Sequence, residues 1–145
     1  MRKLALLAVA AAAALVLTAV SLGASRGMGW TATLTAAQEV PKQAVKVPAA
    51  RGAFHATLSG KTLSWKLSFS HLSGRALQAH IHLGAMGKSG NVLVPLCAPC
   101  KNGMTGKSKV TAAMIRQFGK HLLYVNVHTA KNPNGEIRGQ ITMAM

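Results

Sequence analysis

The sequence predicts an all-β fold, an antiparallel Greek-key-like β-sandwich with one short helix near residues 110–119. Three observations predict it. Runs that alternate apolar and polar residues recur along the chain, which is the period of half-buried strands. Short Gly-, Pro- and Asn-bearing turns separate those runs. A single stretch switches to helical spacing.

Trp30 to Ala36 alternates apolar and hydroxyl residues and forms the first strand. Pro41 ends it, because proline has no N–H for a ladder, and residues 43–51 read as a loop. Gly52 to Ser59 alternates again, Ser59-Gly60-Lys61 turns the chain, and Thr62 to Ser70 places Leu63, Trp65, Leu67 and Phe69 on one side. These two runs form a hairpin. Leu77 to Leu83 puts its aliphatic residues on one face and Gln78, His80 and His82 on the other. Asn91 to Leu96 is a further short strand, and residues 101–109 are loop or edge strand. Val110, Ala113, Met114 and Phe118 fall at helical spacing, with Gly119 as the cap. Leu122–Thr129 and Glu136–Met143 are the closing strands, joined by the turn at Lys131-Asn132-Pro133-Asn134-Gly135.

The N-terminus carries a different signal. Met1-Arg2-Lys3 is a short basic start, Leu4 to Val20 is almost wholly Leu, Ala and Val, and small residues follow. That order predicts a signal peptide over residues 1–24, cleaved near 23–25, with an uncleaved anchor as the alternative. The expected protein is exported, secreted or held in the periplasm or cell envelope, with no membrane span after the leader is removed. About 120 residues remain, enough for one domain of two packed layers over residues 30–145.

The charge is lopsided. There are 17 Lys and Arg, two Glu and no Asp. Such a surface attracts polyanions, so the expected partners are an anionic polysaccharide, an envelope surface or an extracellular protein; a solvated basic surface is the plainer alternative. Nucleic acid is not expected, since few aromatics stand between the basic residues to stack bases.

His80, His82 and His128 are the candidate metal ligands. Imidazole is a common ligand for copper and zinc, and the parity of the 122–129 strand lets His128 face the same way as His80 and His82 if the two strands are neighbours. Three ligands leave a position open. The other reading makes them polar strand-face residues hydrogen-bonded to the Asn134–Gln140 segment. His55, His71 and His121 lack partners at ligand spacing and read as surface or turn residues. Cys97 and Cys100 form a disulfide in an exported chain; no helix start follows to make them a redox pair and no second Cys/His pair makes them a zinc site. Glu39 and Glu136 are the only carboxylate side chains, and one or both are expected to pair with Arg138 or with a backbone N–H cluster. No spacing supports catalytic carboxylates or a Ser-His-Asp set.

Three motifs then resemble a known family. Leu34-x-x-x-Gln38-Glu39-Val40-Pro41, Ala79-His80-Ile81-His82-x-Gly84, and Tyr124-Val125-Asn126-Val127-His128-Thr129 with Asn134-Gly135-Glu136-Ile137-Arg138-Gly139-Gln140 are similar to the CHRD domain. That domain is named for chordin, an extracellular antagonist of bone morphogenetic proteins, and also occurs alone in secreted bacterial proteins. Lys42 departs from it where the family often has a second proline. The resemblance implies an extracellular β-sandwich module and no reaction. A weaker resemblance, to the copper–zinc superoxide dismutases, rests on the order His80, His82, His128, Arg138; the absence of any Asp removes the zinc ligand those enzymes need. The sequence thus reads as a non-enzymatic extracellular or envelope-associated binding module, with a copper-type protein, redox-active or not, as the alternative.

Overall fold

The structure is a computed structural model that describes residues 27–145. The expected leader and its cleavage region lie outside the described residues. Nine strands form one antiparallel sheet: β1 (Met28–Thr35), β2 (Arg51–Ser59), β3 (Thr62–Ser70), β4 (Ala76–Leu83), β5 (Val92–Cys97), β6 (Met104–Lys109), β7 (Leu123–Thr129), β8 (Ile137–Gln140) and β9 (Thr142–Met143). The order across the sheet is β5-β4-β7-β8-β1-β2-β3-β6, with β9 on β1. Its two edges, β5 and β6, approach one another, so the sheet is nearly closed and folds over its own core in the manner of a sandwich.

The hairpin of β2 and β3 shows how the pattern becomes structure. Its register sets Phe54 opposite Leu67, Ala56 opposite Trp65 and Leu58 opposite Leu63, one apolar face two residues apart on each strand. Gly60 makes the turn at a φ of 56°, a conformation glycine adopts without steric cost. Leu34, Ile81, Val125, Val127 and Ile137 complete the interior from the other strands.

The helix α1 (Ala112–Phe118) starts where Thr111 caps it, the Thr111 hydroxyl accepting from the Met114 N–H at 3.2 Å. Its fully buried Phe118 rests on the indole of Trp30, ring centroids 5.1 Å apart. Residues 104–109 take the edge-strand alternative. One stretch differs from the sequence reading: the expected strand 136–143 is two. Ile141 sits between them with its side chain in the core and its N–H donating to the Leu123 carbonyl. Beyond it the chain leaves β7 and pairs with β1, Trp30 opposite Met143. Apolar alternation runs straight through such a crossing, which is why the sequence showed one strand. Among the described residues no helix is long and apolar enough to cross a membrane.

Phe118 is the wedge that fastens the helix to the sheet. Phe118→Ala is expected to cost about 3–5 kcal/mol in urea unfolding, against roughly 0.5 kcal/mol or less for the exposed Thr33→Ala.

Candidate metal centre

The sheet brings the three histidines together because β4 lies beside β7. Gln78 is opposite His128, His80 opposite Asn126 and His82 opposite Tyr124. In a strand alternate residues share a face, so all of these side chains stand on the side away from Ile81, Val125 and Val127. His128 is the diagonal neighbour of His80. One ring nitrogen from each of His80, His82 and His128 lies within 4.8 Å of the others, and no carboxylate or thiol joins them among the described residues.

The tautomers follow from the partners. His82 Nδ1 is 2.9 Å from the Gly90 carbonyl and His128 Nδ1 is 2.8 Å from the Pro133 carbonyl. A carbonyl only accepts, so both Nδ1 atoms carry the proton and both Nε2 atoms keep a bare lone pair. His82 Nε2 is buried and has no hydrogen-bond partner. His80 Nδ1 lies 3.2 Å from His128 Nε2. With that Nε2 unprotonated, His80 donates to it.

Burial lowers the pKa of all three. His80 is brought down to about 4, by desolvation first and then by His128 and His82. Desolvation also holds His82 and His128 below the ordinary imidazole range, against the opposing effect of their carbonyl partners and, for His82, of the Asn126 side chain. Each ring is therefore neutral at neutral pH, the form that binds metal.

A shell of residues holds these rings, and most of it carries no sequence signal of its own. Tyr124 is sandwiched between His82 from β4, stacked at 4.9 Å with the ring planes 8° apart, and the Arg138 guanidinium from β8, 3.5 Å from the ring centroid. The Tyr124 hydroxyl accepts from the Gly90 N–H at 3.1 Å, so the Gly90 peptide is gripped by Tyr124 on one side and by His82 on the other. A Cβ on Gly90 would lie 1.6 Å from the Leu83 carbonyl oxygen, and one on Gly84 would press on the Tyr124 ring at 2.9 Å. The glycine spacing after His82 is thus the condition for the loop to close over the site. Arg138 Nη2 donates to the Ala85 carbonyl and the Gln140 amide to the Gly84 carbonyl, fixing the same loop from β8.

The two glutamates take separate places. Glu136 is fully buried and accepts from the Ser73 N–H at 2.5 Å, from the Ser73 and Thr129 hydroxyls, and from the Asn132 amide. Burial pushes its pKa up, but the Ser73 and Thr129 hydroxyls, the Ser73 N–H and the Asn132 amide outweigh it and hold the carboxylate below the usual range. Glu39 is also fully buried, yet neither oxygen has a hydrogen-bond partner, and neither does Arg138 Nη1. The expected contact between Arg138 and a glutamate is thus not made as a hydrogen bond. Arg138 spends its polar contacts on Ala85 and Tyr124. Cys97 and Cys100 meet at disulfide distance, 2.02 Å between sulfurs, at the end of β5. His55, His71 and His121 are exposed, the last two in turns at φ of 58° and 55°.

Residues 30–141 match the family model of the CHRD domain. The chain belongs to the CHRD family. No curated protein and no solved structure matches it. Two of the three motifs build the candidate centre: Ala79–Gly84 and Tyr124–Thr129 supply the rings, and Asn134–Gln140, which belongs with the latter motif, supplies the clamp.

Burial raises the Glu39 pKa from about 4.5 to about 8, with Arg138 and then the Val40 N–H pulling the other way. The folded protein therefore keeps a proton that the unfolded chain has released above about pH 4.5. Its contribution to stability is fully present below that pH and is lost as pH rises through about 8. Glu39→Gln is expected to match the parent in urea unfolding at pH 4 and to exceed it at pH 8.5, by on the order of 4 kcal/mol at most. A parent more stable than the variant at pH 8.5 would instead show an ionised Glu39 paired with Arg138.

Proposed function

We propose that this CHRD protein is an exported metal-binding module in which His80, His82 and His128 hold one transition-metal ion, copper before zinc. The observation that carries the proposal is the buried, unpartnered Nε2 of His82 in a group of three imidazole nitrogens within 4.8 Å. A buried acceptor without a partner costs about 1–3 kcal/mol, and a metal is a partner that fits it. Ligands about 2.0–2.1 Å from a tetrahedral ion stand about 3.3 Å apart. His80 Nδ1 and His128 Nε2 are already 3.2 Å apart, and His82 has only to move inward. The ion takes the place of the proton shared between His80 and His128, and that proton passes to the other nitrogen of His80.

The donor set also points to the metal. All three donors are neutral nitrogens, which suit copper, zinc and nickel better than calcium or magnesium, and copper binds such sites most tightly among the divalent ions. Both Nδ1–H···O=C bonds are of the kind that fix a ligand's tautomer and orientation. The export reading rests on the leader at residues 1–24. No reaction is assigned: three ligands leave a place for a fourth, but no acid, base or nucleophile in the group implies a turnover step.

Calorimetric titration of the mature protein with copper and with zinc tests this reading. One-to-one binding is expected, weakened at least 100-fold by His82→Ala and unchanged by His55→Ala. Absence of binding, or binding that survives loss of all three ligands, would remove it. Because burial lowers the pKa of all three imidazoles, affinity should fall less between pH 7.5 and pH 5.5 than an unperturbed set would allow. Three ordinary imidazoles of pKa about 6.5 would lose about tenfold each over that range.

Tyr124 orients His82 without being a ligand. Tyr124→Leu is expected to weaken copper binding about tenfold and to alter the Cu(II) electron paramagnetic resonance spectrum, with Tyr124→Phe intermediate because it keeps the stacking and loses only the contact to Gly90.

A further inference from the structure

Both glutamates are fully buried, and they are the only acidic side chains in the sequence. Every exposed ionisable side chain among the described residues is therefore a Lys, Arg or His. An ordinary surface mixes the signs; this one has no negative side chain with which to pair its cations.

Two of these exposed cations, Lys66 and Lys107, stand together on one sheet face. On the outer side of β1, β2, β3 and β6 lies a trough of about 620 Å³. Register puts Lys66 opposite both His55 and Thr105, and Lys107 opposite Ser64, so these side chains project from the same face and Lys66 and Lys107 are diagonal neighbours. Thr57 and Ser64 stand between them as hydroxyls. Gly29 and Ala144 keep the opposite flank low. Trp30 and Trp65 line the floor only as buried residues, so no apolar side chain protrudes. Unlike the face of β4, β7 and β8, this one is not roofed by a loop.

We propose that this trough binds a linear anionic polysaccharide, carboxylated or sulfated. Lys66 and Lys107 supply charge at a spacing set by two adjacent strands, and the Ser and Thr hydroxyls offer both donors and acceptors for sugar hydroxyls. Single-stranded nucleic acid wants exposed aromatics on which bases stack, and Trp30, Trp65, Tyr124, Phe54 and Phe118 are all buried. A membrane surface wants large exposed apolar side chains beside the cations, and none of the residues lining the trough is one. The proposal is independent of the metal centre, which lies on the other half of the sheet.

The test uses the mature protein, with alginate and dextran sulfate as probes, neutral dextran as the blank, and a single-stranded oligothymidylate and phosphatidylglycerol–phosphatidylcholine vesicles as rivals. Binding is measured at about 150 mM salt, where long-range attraction between exposed charges is screened beyond about 8 Å. Lys66→Gln/Lys107→Gln is expected to weaken binding to alginate or dextran sulfate at least tenfold. The control Lys120→Gln/Lys131→Gln, which removes the same charge elsewhere on the surface, should cost less than threefold. Equal losses in the two variants would mean diffuse charge and overturn the proposal. So would failure of the parent to bind either polysaccharide, or tighter binding to the oligonucleotide or the vesicles than to both. Unfolding curves and copper content measured on the same variants keep a folding defect, or a failure of the metal reading, distinguishable from a failure here.

Discussion

The pairing of β4 with β7 is the constraint on which the rest depends. It sets Ile81 opposite Val125 and Ala79 opposite Val127 on the inner face, and the same hydrogen bonds set His80, His82 and His128 together on the outer one. A slip of one residue would exchange the faces, moving imidazoles into the core and valines outward. The core thus fixes the register, and the register makes the site. No separate device is needed to bring residues so far apart in sequence within reach of one another.

Gathering three imidazoles has a cost that the surroundings must meet. Placed close together and taken out of water, they cannot hold protons at neutral pH, and neutral rings need their remaining N–H groups satisfied. The Gly90 and Pro133 carbonyls do this for His82 and His128. Both carbonyls come from loops, and buried polar side chains hold both loops: Arg138 and Gln140 of β8 hold the Gly84–Gly90 loop, and the 129–136 turn is held by its own Glu136 through Thr129 and Asn132. Glu136 is therefore a structural anchor for the segment that orients His128. Its four donors make its ionised form the stable one, whereas Glu39, equally buried but without such a set of donors, is stable as the acid. Two carboxyl groups in one small domain are driven opposite ways by whether burial comes with hydrogen bonds.

The sequence disclosed the fold through periodicity, and it disclosed the three histidines through parity. Leu63, Trp65, Leu67 and Phe69 alternate so regularly that β3 could be placed to the residue, and the faces of β4 and β7 followed from the same period of two. What periodicity cannot show is a strand that changes partners while keeping its alternation, as the chain does at Ile141. Nor can it show which strands are neighbours, so convergence of the rings was conditional until β4 and β7 were seen side by side. Tyr124 was legible as a residue on the correct face and not as the plate between His82 and Arg138. That role depends on three strands at once. The sequence left Arg138 and a backbone N–H cluster both open to the glutamates; Glu136 accepts from the Ser73 N–H, while the hydrogen bond of Arg138 to the Ala85 carbonyl and its place on the Tyr124 ring are invisible in one dimension.

The place of Tyr124 also bears on how a cationic domain can hold a cation. Arg138 lies close enough to His82 to lower its pKa, and a bound metal ion would feel the same repulsion. Two unit charges about 8 Å apart interact by about 2 kcal/mol at an effective dielectric of 20, more for a divalent ion, and the three ligands bring no negative charge to offset it. Tyr124 fills the space between them and gives Arg138 a π-face to rest on, an attraction of the same order when desolvated. The guanidinium is thereby held on the far side of the ring, bonded to Ala85, where it tightens the loop over His82 and does not turn toward the ligands.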